Sequence, residues 1–196
     1  MGVADRCLHT AALASVAVAR VRPGPAADRA AAGRALRAAI RALVGGRPAM
    51  AARVRPGGPR QVRIAGGPAV RVSVAHREGR AAAAVTASRA RVGVDIERGD
   101  AVAGAHVRYF LTEAERRSLD RRSPAEMWAL KEAAWKALAL DATVPFHALE
   151  LELDADGALQ AVTSGGVRHE ATAALGVPWH GWVLAVVRIQ SEGICR

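Results

Sequence analysis

Gly93-Val94-Asp95-Ile96-Glu97 alternates with a period of two. Such alternation marks a β-strand with two unlike faces. Val92, Val94 and Ile96 take one face; Gly93, Asp95 and Glu97 take the other. Two hard carboxylates two residues apart on one face suit magnesium, which binds a few carboxylates and keeps water or phosphate as further ligands. Gly93 on that face leaves room for a ligand. The same pattern also describes a strand whose acidic side is merely solvated.

Further along, Ser123-Pro124-Ala125-Glu126 opens a helix that runs to about Leu140. Ser123 can cap it, Pro124 is tolerated at the first helical position, and Glu126 completes a capping box. The helix carries Trp128-Ala129-Leu130-Lys131-Glu132-Ala133-Ala134-Trp135-Lys136. Trp128, Glu132 and Trp135 share a face, with Lys136 one turn beyond Glu132. A carboxylate between two indoles needs a partner. Lys136 can serve, as an i,i+4 ion pair worth roughly a few tenths of a kcal/mol. Alternatively Glu132 takes a metal ion and Lys136 a phosphate oxygen. The two tryptophans read as packing residues.

Upstream, Val70–Ala75 alternates as a strand, His76 ends it, and Arg77-Glu78-Gly79 turns the chain. Ala81–Ala87 returns, and with Arg91–Glu97 completes an expected three-stranded antiparallel meander. A histidine at a strand end can donate to a phosphate or be a satisfied structural group. Ala26–Val44 reads as an arginine-bearing helix between Pro23-Gly24-Pro25 and Gly45-Gly46. Residues 47–68 read as loop, with a short strand near Gln61–Ala65. Downstream, Ala101–Phe110 reads as a helix. Thr112-Glu113-Ala114-Glu115 opens another to Arg122, with capping-box spacing between Thr112 and Glu115. Four short strands follow Pro145, near 149–153, 158–163, 167–173 and 182–189, with a turn at Asp154-Ala155-Asp156-Gly157. Helix-then-strands thus occurs twice, without sequence identity between the halves.

The chain has 196 residues, 51% of them hydrophobic but only 4% aromatic, so its core is built of Ala, Val and Leu. Residues 1–90 hold sixteen Arg against Asp5, Asp28 and Glu78, a balance of +13; residues 91–196 hold twelve basic and fifteen acidic residues, a balance of −3. The basic half attracts phosphates, nucleic acid, anionic lipid or an acidic protein. The only lysines, Lys131 and Lys136, lie on one predicted helix. Cys7 and Cys195 make neither a disulfide framework nor a metal cluster. No apolar run approaches a membrane span, and no signal peptide is evident, so a cytoplasmic protein without membrane contact is expected.

The motifs occur in a particular order: a strand ending in His76, then Gly93–Glu97, then Phe110-Leu111-Thr112 followed by an acid, then Trp128 to Lys136. That order, with Asp95 and Glu132 thirty-seven residues apart, resembles the phosphopantetheinyl transferase superfamily. Within it the chain looks like the Sfp-type, the larger monomeric class. A basic segment of some ninety residues precedes the Asp95 strand, so one chain can supply both halves. The resemblance implies an α+β fold of two pseudo-symmetric halves, 1–98 and 99–196, each a small antiparallel sheet packed with helices. It implies transfer of the 4′-phosphopantetheine arm of coenzyme A to a serine of an apo acyl or peptidyl carrier protein. Asp95, Glu97 and Glu132 would bind Mg2+. Lys136 would neutralise the pyrophosphate, and His76 would contact the nucleotide 3′-phosphate. Glu115, with Glu113 as rival, would help deprotonate the serine. Arg29 and Arg34 are placed by layout as nucleotide-phosphate contacts. Where the family often has Ser-His-Ser, Ala75 and Arg77 flank His76, and the family's Gly-Lys/Arg-Pro element has only Gly58-Pro59-Arg60 as a counterpart. A nucleic-acid-binding protein would explain the arginines but not the ordered acids, and few aromatics are available for base stacking; no nucleic-acid partner is therefore expected. An inactive carrier-binding relative is the other alternative.

Overall fold

The computed structural model describes residues 6–10, 14–21, 26–43, 61–63 and 69–190. Pro23-Gly24-Pro25, Gly45-Gly46, Gly58-Pro59-Arg60 and Cys195 lie outside the described residues. Among the described residues, ten strands form two five-stranded antiparallel sheets. The first comprises β1 (Arg6–Thr10), β2 (Ala14–Arg20), β3 (Gln61–Arg63), β4 (Ala69–Arg77) and β5 (Arg80–Thr86), in the order β1-β2-β5-β4-β3. The second comprises β6 (Arg91–Arg98), β7 (Leu149–Leu153), β8 (Leu159–Ser164), β9 (Val167–Gly176) and β10 (Trp182–Ile189), in the order β6-β10-β9-β8-β7. Helix α1 (Ala27–Leu43) follows β2, while α2 (Glu113–Arg116) and α3 (Pro124–Leu138) follow β6.

Four layers result. α1 packs Ala31, Ala35, Ala39 and Ile40 on Ala17, Ala19, Val70, Val72, Ala81 and Ala83. The opposite face of that sheet presents Val16, Val18, Ala75, Ala82 and Ala84 to Val92, Val94, Ile96, Trp182, Leu184 and Val186 of the second sheet. Beyond the second sheet lies α3, with Met127, Leu130, Ala133 and Ala137 against Leu149, Leu151, Ala185 and Val187. The inner strands are therefore apolar on both faces. Each sheet also follows one kind of path: strand, helix, then antiparallel strands returning to pair beside the first (β2-α1-β3-β4-β5 and β6-α3-β7-β8-β9-β10). The expected α+β architecture of two helix-backed antiparallel sheets is the one observed.

Two local expectations change. The expected meander holds only for β4 and β5, joined by a two-residue turn with Glu78 at φ 51° and Gly79 at φ 71°, the positive pair that suits a tight hairpin. β6 instead pairs with β10 and lies in the other sheet. Its contact with β4 is by side chain: the Val94 N–H donates to Ser73 Oγ at 3.1 Å. The helix expected over 101–110 is a 3-10 segment, Gly104–Tyr109, and α2 passes into another at Arg117–Asp120. Among the described residues no helix is long and apolar enough to cross a membrane.

Candidate active site

The site forms where α3 lies on β6. A Cβ at Gly93 would stand 1.8 Å from the Ala133 carbonyl oxygen and 2.8 Å from the Ala137 N. The room expected for a ligand at Gly93 is thus filled by the backbone of α3. This close approach brings Lys136, the neighbour of Ala137, onto Asp95, the next same-face residue of the strand. Lys136 Nζ donates to Asp95 Oδ1 at 2.8 Å and pairs with Glu132 Oε1 at 3.1 Å. Trp128 Nε1 donates to Glu132 Oε2 at 3.1 Å. Trp128 itself stacks on Phe146 (4.8 Å) and meets Phe110 edge-on (5.0 Å), so the indole both packs and aims the carboxylate. Trp135 also stacks on Phe146, at 6.3 Å.

Asp95 is nearly buried, and its Oδ2 has no hydrogen-bond partner. Burial pushes the carboxyl up to about 6; the Lys136 charge opposes the rise and Glu132 adds to it. For Lys136, burial acts downward, but Asp95 and Glu132 outweigh it and hold the ammonium above its ordinary pKa. Glu97, on the same face of β6, accepts on both oxygens from Arg77 Nη1 and on one from the Arg98 N–H at 2.7 Å. Arg77 and Glu97 border a cavity of about 460 Å³ whose other walls include Val102, Tyr109, Phe110, Trp128 and Phe146.

Asp95, Glu132 and Lys136 are thus brought together, with Glu97 on the same face. The other expected residues lie elsewhere. His76 Nδ1 is 3.5 Å from Asp28 Oδ2, on the α1 side of β4. Arg29 and Arg34 are exposed on α1. Glu115 is buried and faces inward: its carboxylate accepts from the Thr112 N–H (2.7 Å), Lys131 Nζ (2.7 Å) and the Leu151 N–H (2.8 Å). It completes the capping box of α2 and neutralises Lys131, whose Nζ also donates to the Phe110 carbonyl. Glu113 is exposed and sits 4.0 Å from Arg116. Neither acid is bonded into the Asp95 cluster. Sequence reasoning missed Arg77 as a partner of Glu97; its only signal was a cation where the pattern has a small residue.

Among the described residues, no three His, Cys, Asp or Glu side chains are grouped closely enough to hold a metal ion. Lys136 and Arg77 instead occupy the carboxylates. The donor set nonetheless fits a hard cation. The atoms are carboxylate oxygens, and Asp95 Oδ2 is a buried acceptor without a donor, an arrangement that is costly unless something else satisfies it.

Comparison with known proteins bears on this stretch. None of the curated proteins matches the chain. The solved structures similar over part of it include the following two. Thermotoga maritima holo-acyl-carrier-protein synthase (AcpS) is 23% identical, over 52% of this chain and 64% of that one, with a TM-score of 0.40; this chain therefore spans just under two thirds of that protein's length. The Chronobacterium ammoniagenes ACPS-CoA complex is 20% identical, over 54% of this chain and 99% of that one, also at 0.40. A family model matches residues 91–187. Through that stretch, which holds Asp95, Glu97, Glu132 and Lys136, the chain is a match to the 4′-phosphopantetheinyl transferase superfamily.

Proposed function

We propose that the chain transfers the 4′-phosphopantetheine arm of coenzyme A to a serine of an apo acyl or peptidyl carrier protein. The observation that carries this is the Lys136 ammonium set between Asp95 and Glu132 inside the family-matching stretch. The serine hydroxyl attacks the β-phosphorus of the pyrophosphate. The bond to the bridging oxygen breaks, and adenosine 3′,5′-bisphosphate leaves with that electron pair. Negative charge spreads over the phosphate oxygens, so catalysis is chiefly positioning and charge stabilisation. Lys136 supplies a cation on a helix fixed by backbone contact with β6. Asp95, Glu97 and Glu132 would hold Mg2+, which supplies further positive charge to the pyrophosphate when bound. The serine proton passes to Glu132, the least buried carboxylate of the cluster at 30% side-chain exposure, against 5% for Asp95. That choice replaces Glu115, whose oxygens are committed within the core. His76, Arg29 and Arg34 are assigned to the nucleotide phosphates, and the basic half to steering the acidic carrier.

The repeat of strand, helix and returning strands within one chain supports the larger, monomeric class; because β6 pairs with β10, its two halves meet between β5 and β6 rather than at residue 98. The test is incubation with coenzyme A, Mg2+ and a panel of apo carriers, followed by intact-mass analysis. One added phosphopantetheine is expected, with Asp95→Ala and Lys136→Ala abolishing it. No modification of any carrier under any divalent metal would refute the assignment.

A further inference from the structure

Glu97 and Asp95 share a face of β6, yet their partners differ. Asp95 keeps one buried oxygen unpartnered, whereas both oxygens of Glu97 are taken by Arg77 Nη1, a cation reaching across from β4 in the other sheet. The Glu97 side chain is only 6% exposed, while that of Arg77 is 45% exposed. Both residues line the same cavity, and the guanidinium is the solvent-facing member of the pair. Its Nε lies 4.0 Å from Glu78 Oε1, a weak second anchor.

We propose that Arg77 is a positioning residue that couples phosphate binding to metal binding. Clasped on Glu97, it withholds that carboxylate from a metal ion. A phosphate group that draws the guanidinium away frees Glu97 for the ion. The exchange is chemically even: guanidinium forms charge-assisted hydrogen bonds to phosphate as readily as to carboxylate. Coupling of this kind is reciprocal, so the metal tightens the phosphate ligand by the factor by which that ligand tightens the metal. The proposal rests on the reading of the site as one for Mg2+ and coenzyme A.

Calorimetric titration of the full chain tests it, with Mg2+ alone, coenzyme A alone, and each in the presence of the other. In the wild type each ligand should tighten the other. Arg77→Ala should bind Mg2+ alone about tenfold more tightly, a factor equivalent to about 1.4 kcal/mol, and the mutual tightening should shrink accordingly. Arg77→Lys keeps a charge but cannot present a planar fork, and should fall between the two; it decides the matter if the alanine variant does not fold. Unchanged Mg2+ affinity in the folded variants, or independent binding of the two ligands in the wild type, overturns the role of Arg77 while leaving the site assignment standing. A wild type that binds neither ligand overturns both.

Discussion

Asp95 donates nothing and accepts from the Lys136 side chain on one oxygen, while the other is buried without a partner. Its carboxyl lies at about 6, above the ordinary 3.8, chiefly because burial disfavours the charge. The fold therefore favours the protonated form. The stability tied to that form is whole below about pH 4 and is lost as pH rises through 6. In metal-free protein, Asp95→Asn should remove this loss. The denaturation midpoints of wild type and variant should diverge between about pH 4 and 7, by at most about 3 kcal/mol; parallel curves would disprove the account. Lys131 and Glu115 make a second case, an ion pair with side chains 0% and 1% exposed. Lys131→Met strands the Glu115 charge and should cost about 3–5 kcal/mol in urea denaturation, with much of that recovered when Glu115→Gln is added. The convergence of Asp95, Glu132 and Lys136 was legible because strand and helix periods assign faces. The inward turn of Glu115 was not. Its capping box is local, but its bonds to Lys131 and Leu151 come from residues sixteen and thirty-six positions away.

At the scale of elements, the site depends on how closely α3 approaches β6. Gly93 permits it, and Ala133 and Ala137 keep the facing surface of the helix thin. Gly93→Ala would drive a methyl into helix backbone, which cannot rotate aside. A loss of at least about 2 kcal/mol is expected in the denaturation midpoint, together with weakened coenzyme A binding as Lys136 moves off Asp95. An unchanged midpoint would show that the helix has slack. Most elements from β4 to β10 follow from alternation, turn residues and capping boxes. β6 escaped correct placement because alternation says which way side chains point, not which strand lies alongside. β1 and β2 were missed altogether. Val16 and Val18 face one layer and Ala17 and Ala19 the other, so β2 shows no polar alternation, and its alanines carry little strand signal.

For the whole molecule, charge and topology divide the chain at nearly the same place. The arginine-rich first half presents exposed Arg29, Arg34 and Arg37 on its outer helix. If it steers an acidic carrier, kcat/KM for the carrier should fall severalfold on raising NaCl from about 50 to 500 mM, while kcat changes little. A flat profile would locate the carrier's docking elsewhere. Topology divides more cleanly still. All strands of the first sheet precede Ala87 and all strands of the second follow Arg89. A nick in the exposed bend at 87–89 would therefore sever no ladder. The two fragments would each retain a complete sheet with its own backing helix, and would meet through the valines, alanines and Trp182 that line the seam between the sheets. Co-expressed as separate polypeptides, they are expected to reassemble as a heterodimer, with Asp95, Glu97, Glu132 and Lys136 on one piece and Arg77 and His76 on the other.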